Sequence, residues 1–309
     1  MLNIENNHQR TTVLKDLKIS LGIESQKLYS TQRIIDECCT LNLPVQLHLN
    51  TQFHLKLNSP TPIPNNHIDF HLIRSTGTNL DDVDLVYARD CQNHGATIIN
   101  SIENHQLFRN KDRALLELTH LGFPLPPTLI LRSHSREERK SILADFGSDQ
   151  FVLKTFRGNG GIGVMQFLSL ESLLSFFDFT TIKNDQRFII QPLLKIKHEY
   201  RVLVIKDCIL GAIEKKSLSQ SFRKNASFLT DHELIFHPKL SGHLTPMLNL
   251  VEKIQQHFSF HFMGIDFIEC EEGKWMLLEI NPVPGFELFE KLSGLNVAKE
   301  LLVKTVLQK

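Results

Sequence analysis

The sequence has no excess of charge: 34 Lys and Arg balance 34 Asp and Glu. No run of basic residues stands out, which removes the electrostatic footprint of a nucleic-acid or membrane-surface binder. No apolar run reaches about 18 residues, so no transmembrane helix is expected. The stretch MLNIENNHQR carries no apolar segment of the kind an export signal needs. The five cysteines, Cys38, Cys39, Cys91, Cys208 and Cys270, show no CxxC spacing. They read as reduced thiols of a cytoplasmic protein, not as a disulfide frame or a zinc site. The 15 histidines form no HExxH or HxH pattern, so each reads as a surface or packing residue. There is no internal repeat and no low-complexity tract; positions 58–67 are only a Pro/Asn-rich loop.

What is present begins near the end of the chain. MGIDFIEC, EEGK and WMLLEIN read as strand, turn and strand. Glu279 and Asn281 are two residues apart and therefore share a face. If the hairpin pairs in register, Asp266 joins them from the neighbouring strand. Two carboxylates and an amide oxygen on one face make a hard-oxygen site suited to Mg²⁺. The plain alternative is an edge hairpin whose acids face water. Pro282, Pro284 and Gly285 then give a stiff exit with a bend.

A chain of 309 residues is too long for one ordinary core, and two or three lobes are expected. Up to about residue 104, strands alternate with helices. Strands are read at 17–23, 45–50, 68–74 and 96–100, with a short antiparallel piece at 53–58; helices are read at 29–41 and 80–90. Such alternation predicts an open, mostly parallel sheet, with ligands at the carboxyl ends of its strands. That makes Arg74 and the loop at 75–78 candidates for substrate contact, against the plainer reading of a connecting loop.

Asn110 is placed to cap a helix running to about 120, with an apolar face of Leu115, Leu116, Leu118 and Leu121. Lys111 in its first turn opposes the helix dipole, which points to an anionic ligand or to simple solvation. In QFVLKTFRGNGGIGVMQF, a strand carrying Lys154 enters a loop with Gly158, Gly160, Gly161 and Gly163, then a second strand. This is neither GxxxxGKS nor GxGxxG opening a helix. Glycines let backbone N–H groups approach an anion, so the loop can cover phosphates, with Lys154 as a point charge on them. RFIIQPLL reads as a buried strand; its free backbone groups suit an adenine edge, with Leu193 and Leu194 as apolar walls. EYRVLVI and CILGAIEK form a hairpin about Lys206 and Asp207, with Glu199 and Arg201 on one face and Lys215 or Lys216 closing its second strand. A polar loop, SQSFRKNASF, supplies Arg223. An amphipathic helix follows at 243–258, then helices at 287–292 and 296–307.

The order of these motifs resembles the ATP-grasp ligases, and within them the RimK-like branch similar to ribosomal protein S6 glutamate ligase. The resemblance runs from about residue 17 to the end of the chain. It implies an α/β ATP-grasp fold: a pre-ATP-grasp parallel-sheet lobe (1–104), a linker helix and central lobe with the glycine lid (105–190), and a C-terminal lobe with the metal site (191–309), enclosing ATP. Position by position, it assigns Lys111, Lys154 and the glycine loop to the phosphates. It assigns Gln191, Pro192, Leu193 and Leu194 to the adenine, Glu199 to the ribose, and Arg223, Lys224 and Asn225 to further nucleotide contacts. Asp266, Glu279 and Asn281 would hold Mg²⁺, or Mn²⁺, and Arg201 would steady the transferred phosphoryl group. Four departures stand out. The hinge is QP where QE is usual, Glu199 replaces an aspartate, Ser221 stands where an acid is expected, and the Asp266–Glu279 spacing is one residue long.

The activity so implied is ATP-dependent joining of a carboxylate to an amine through an acyl phosphate. It would add glutamate or another amino acid to a protein tail, a carrier or a small molecule. The alternatives are a nucleotide-binding regulatory module without turnover, a peptide synthetase of glutathione-synthase type, and a kinase-like or hydrolytic use of the fold. Relatives of this kind form dimers or tetramers, which leaves a homo-oligomer open.

Overall fold

The computed structural model describes residues 17–50, 52, 55, 68–76, 82–131, 135–158, 163–181, 188–217 and 232–308. The strand expected at 53–58 and the loop at 58–67 fall outside them, Leu55 excepted. Three sheets carry the fold.

The first sheet is parallel and contains β1 (Ile19–Ile23), β2 (Val45–Leu49), β3 (Phe70–Ile73) and β4 (Thr97–Ile99), in the order β2-β1-β3-β4. β1 and β3 are buried along their whole length, as strands covered on both faces must be. α1 (Tyr29–Thr40) buries Thr31, Ile34, Glu37 and Cys38, a stripe with helical spacing. α2 (Val83–Asn93) starts later than the sequence suggested, because Asp82 takes a left-handed conformation, φ 51°, immediately before it.

α3 (Ile102–Phe108) and α4 (Lys111–His120) lead into the second sheet. Leu115 and Leu118 are buried on α4, but Leu116 is 69% exposed. Position 116 lies about 100° round the helix from position 115, off the buried stripe. The second sheet is antiparallel, with β5 (Leu129–Leu131), β8 (Phe188–Pro192), β6 (Phe151–Thr155) and β7 (Val164–Phe167) in that spatial order. α5 (Arg136–Ala144) begins with a capping box of Ser135 and Glu138. α6 (Leu170–Thr181) packs beside it.

The third sheet holds β11 (His232–His237), β10 (Cys208–Ser217), β9 (Ile196–Ile205), β12 (Phe262–Cys270) and β13 (Trp275–Asn281), all antiparallel, in that order. α7 (Thr245–His257) covers one face through Met247, Val251 and Ile254. α8 (Glu287–Ser293) and α9 (Val297–Leu302) lie toward the first sheet.

The cores show how the sheets are joined. Ile19, Leu21 and Leu72 share one apolar cluster with Leu203, Ile205, Phe262, Phe286 and Leu301. The second sheet has a cluster of its own, built from Leu131, Leu143, Phe151, Leu153, Leu173, Phe188 and Ile190. Asn100, just after β4, ties the first sheet to the third with both polar atoms of its side chain. Its Nδ2 donates to the Phe262 and Pro282 carbonyls at 2.5 and 2.7 Å, and its Oδ1 accepts from the His261 and Phe262 N–H groups at 2.7 and 2.8 Å. Glu290 of α8 completes the junction, accepting from Tyr29 Oη at 2.7 Å and Arg33 Nε at 3.0 Å.

Candidate active site

On β9, alternation puts Glu199 and Arg201 on one face. Arg201 stands opposite Ile213 of β10 and Asp266 of β12; Glu199 stands opposite Lys215. Asp266 in turn stands opposite Glu279 of β13. Cross-strand partners share a face, so Lys215, Glu199, Arg201, Asp266 and Glu279 form one charged patch. All of them line a cavity of about 500 Å³ together with Lys111, Lys154, Gly158, Gln191 and Asn281. That size suits a bound small molecule.

The extra residue between Asp266 and Glu279 is accommodated by a β-bulge. Phe267 pairs with Leu277, but Asp266 pairs with Glu279, so Leu278 is the unpaired residue. A regular ladder would have set Leu278 against Asp266 and turned Glu279 to the other face. The bulge restores the carboxylate to the cavity and puts Leu278 on its wall.

Arg201 grips Asp266 with two bonds, Nε to Oδ1 at 2.7 Å and Nη2 to Oδ2 at 2.6 Å. Burial pushes the Asp266 carboxyl up, but Arg201, Lys215 and Lys111 outweigh it, and the group sits below the usual range. Lys111 Nζ lies 2.5 Å from Glu279 Oε1. Its first-turn position therefore serves an acid on a distant strand, and its backbone N–H is held by the Phe156 carbonyl at 2.8 Å. Lys154 lies between these groups; burial lowers its ammonium to about 8, partly offset by Glu279. Lys215 Nζ is 3.8 Å from Glu199 Oε1.

Asp266, Glu279 and Asn281 are brought together as the sequence suggested. Asn281 Oδ1 accepts from the Val283 N–H at 2.8 Å, which fixes the amide. Among the described residues no group of three or more His, Cys, Asp and Glu is arranged for a metal. A cation here would rest on two carboxylates and that amide oxygen. As a donor set these fit a hard divalent ion.

The glycine loop is described at its two ends. Gly158 lines the cavity, and Gly163 has φ 79° with Thr155 where a Cβ would be. Gly160 and Gly161 lie outside the described residues, as do Arg223, Lys224 and Asn225. Arg157, at the loop's start, is held by Asp82 at 2.6 Å and by Asn110 Oδ1 at 2.8 Å. Asn110 sits at the N-cap position of α4 without capping it: its amide nitrogen donates to the Gln106 carbonyl and its oxygen serves Arg157.

The expected adenine segment is only partly at the cavity. Gln191 and Ile189 line it, with Gln191 Nε2 donating to Thr128 Oγ1 at 2.9 Å. Pro192, Leu193 and Leu194 are not on its wall, and the Leu193 N–H is taken by the Gln150 carbonyl at 2.9 Å. Alternation of β8 turns 189 and 191 inward together, a signal the strand pattern already contained. The roles of Leu278, Arg157, Tyr29 and Asn100 were not read from the sequence.

A family profile described as the RimK-like ATP-grasp domain matches residues 108–305. A probable alpha-L-glutamate ligase of Citrobacter koseri is 27% identical over 197 residues, 63% of this chain and 62% of that protein. A ribosomal protein bS6–L-glutamate ligase of Escherichia fergusonii is 24% identical over 203 residues, with the same coverage. The chain thus spans about 62% of the length of the curated relatives it matches. A RimK domain ATP-grasp protein from Sphaerobacter thermophilus has the same fold, with TM-score 0.70 at 14% identity over 94% of this chain and 99% of that one.

Proposed function

Because the chain belongs to the RimK-like ATP-grasp family, we propose that it is an ATP-dependent carboxylate–amine ligase that joins an amino acid, glutamate first among candidates, to a carboxylate at the end of a protein or peptide. The observation that carries this reading is the row Arg201–Asp266–Glu279–Lys111, with Lys154 beside it on one cavity wall. It matches the need of a reaction between two anions, whose charge must be cancelled before they meet. In this reading, residues 1–104, 105–190 and 191–309 act as a substrate lobe, a lid lobe and a metal lobe. The acidic amino acid and the protein acceptor are suggested by the names of the relatives.

Lys154 and Lys111 hold the phosphate oxygens, and Lys111 exchanges Glu279 for them. Asp266, Glu279 and Asn281 would hold a divalent cation, which would supply charge screening and polarisation of the phosphoryl group. Arg201, anchored on Asp266, points its remaining N–H groups toward the transferring group. The γ-phosphoryl group passes to the substrate carboxylate, forming an acyl phosphate and ADP. The amine then attacks the acyl carbon, the C–O bond to phosphate breaks, and phosphate leaves with an amide formed. The segment from Gly158 to Gly163 closes over the phosphates and keeps water from the acyl phosphate.

The test is release of ADP from ATP and Mg²⁺ with each amino acid in turn, with and without peptides ending in a free carboxylate, followed by product mass. Amino-acid-stimulated ADP with a mass gain of one residue is expected. Stimulated ADP without an amide product sinks the reading.

A further inference from the structure

The cavity continues beyond the charged row to a second wall, formed by Leu28, Tyr29, Ser30, Arg74 and Thr76. These residues stand at the start of α1 and just after β3, beside the first sheet. From β1 the chain passes through α1 to β2 on one side, then returns to β3 on the other. The carboxyl ends of β1 and β3 therefore bound a topological switch point, the place where an open parallel sheet has a crevice. Arg74 sits there: it follows β3 directly, and its N–H donates to the Gly22 carbonyl of β1 at 2.7 Å.

The side chain of Arg74 is 5% exposed and lines the cavity. Its Nη2 donates to Ser30 Oγ at 3.1 Å and to the Pro284 carbonyl at 3.0 Å, while Nε has no partner. The other two buried arginines among the described residues are each matched with an acid, Arg109 with Asp84 and Arg139 with Asp178. Arg74 has no carboxylate partner among the described residues. A buried guanidinium without a counter-charge is costly, and its site is electrically incomplete as it stands. α1, twelve residues long, begins at this same wall, and its N-cap residue Leu28 offers no side-chain acceptor. The first-turn N–H groups add a second attraction for an anion. In the ligase reading above, the phosphates are served by Lys111 and Lys154, on α4 and β6, and a ligand of Arg74 would be a different anion.

We propose that Arg74, with the start of α1, binds one carboxylate of the amino-acid substrate, which enters the reaction through its amine, and so makes the enzyme selective for amino acids over the matching amide. The inference rests on the ligase reading above. It explains why a pocket that must cancel phosphate charge has a further cation on its wall, carried by the first sheet.

The experiment measures binding of L-glutamate, its α-amide and its γ-amide to the full-length protein with saturating ADP and Mg²⁺, by titration calorimetry. The protein is compared with Arg74→Lys and Arg74→Met, and ADP affinity serves as the control for folding. In the unaltered protein, one of the two amides binds at least tenfold more weakly than L-glutamate. Arg74→Lys weakens L-glutamate about tenfold, Arg74→Met removes the difference between acid and amide, and ADP binds within twofold throughout. Equal binding of L-glutamate and both amides to the unaltered protein overturns the proposal without any variant. So does an Arg74→Lys protein with unchanged affinity for L-glutamate. A positive ADP-release screen with either of those results leaves the ligase reading standing and removes only the role of Arg74. A negative screen with every amino acid removes both.

Discussion

Asp266 faces Glu279 across two strands only because Leu278 is bulged out of the ladder between them. One backbone irregularity therefore sets the separation of the two acids proposed to hold the cation. Replacing Glu279 with alanine should lower Mg²⁺-dependent turnover by about 100-fold or more, the scale of removing one electrostatic stabiliser from an active site. Glu279 is partly exposed, so the melting temperature should move little. Paired ADP-release and melting measurements check this; turnover near the unaltered rate contradicts the assignment.

The Arg201–Asp266 pair is expected to matter to the fold as well. Arg201→Met leaves the Asp266 carboxylate buried and unpaired. With the partial exposure of Arg201 discounted, the cost is about 2 kcal/mol at neutral pH. The folded Asp266 carboxyl lies below its unfolded value, so its contribution is present above the ordinary carboxylate range and disappears as pH falls through the folded value. Urea unfolding of both proteins should thus show a gap at pH 7 that narrows toward pH 3.

Lys154 shifts in the same direction but in a higher pH window. Burial brings its ammonium down to about 8, while the unfolded chain keeps that proton to about 10.4. Between these values the unfolded state binds more protons, and this group makes stability rise with pH. Bound phosphate favours the charged lysine, so ADP binding just above pH 8 should take up a proton and weaken as pH rises further. Calorimetry in two buffers of different ionisation enthalpy reads the uptake directly. Lys154→Met should abolish it; an uptake that survives the substitution assigns the proton elsewhere.

Gly163→Ala tests the hinge of the glycine loop. A left-handed alanine costs roughly 1–2 kcal/mol, and here the added methyl also meets the Thr155 hydroxyl. That hydroxyl donates to the Arg157 carbonyl at 2.6 Å. Reduced stability together with weaker ADP binding is expected. A variant with full stability and full affinity would show that the loop base tolerates a side chain.

Much of this was legible in residue patterns. Apolar runs such as LKISLGI, EYRVLVI and WMLLEIN marked strands that the fold contains, and the two-residue spacing along them put Glu199 with Arg201 and Glu279 with Asn281. What stayed hidden depends on position in space. The one-residue excess before Glu279 gave no sign of whether it would lengthen the turn or bulge the strand. Lys111 looked misplaced in its helix because its partner is 168 residues away. Asn110 matched a cap by type and place, yet the nearby guanidinium of Arg157 drew its oxygen away. α6 (LESLLSFFDFTT) escaped notice because its apolar residues run together without a clear stripe.

The shared apolar cluster of the first and third sheets has a mechanical consequence. Leu21 and Leu72 are packed with Leu203, Ile205 and Phe286, and Asn100 bolts the same seam. The first sheet is thus not a module that can be excised or exchanged for another protein's without stripping the cover from its neighbour. The middle sheet keeps a private filling of leucines and phenylalanines, so a substitution there would loosen one jaw of the proposed nucleotide cleft and leave the seam between the other two intact.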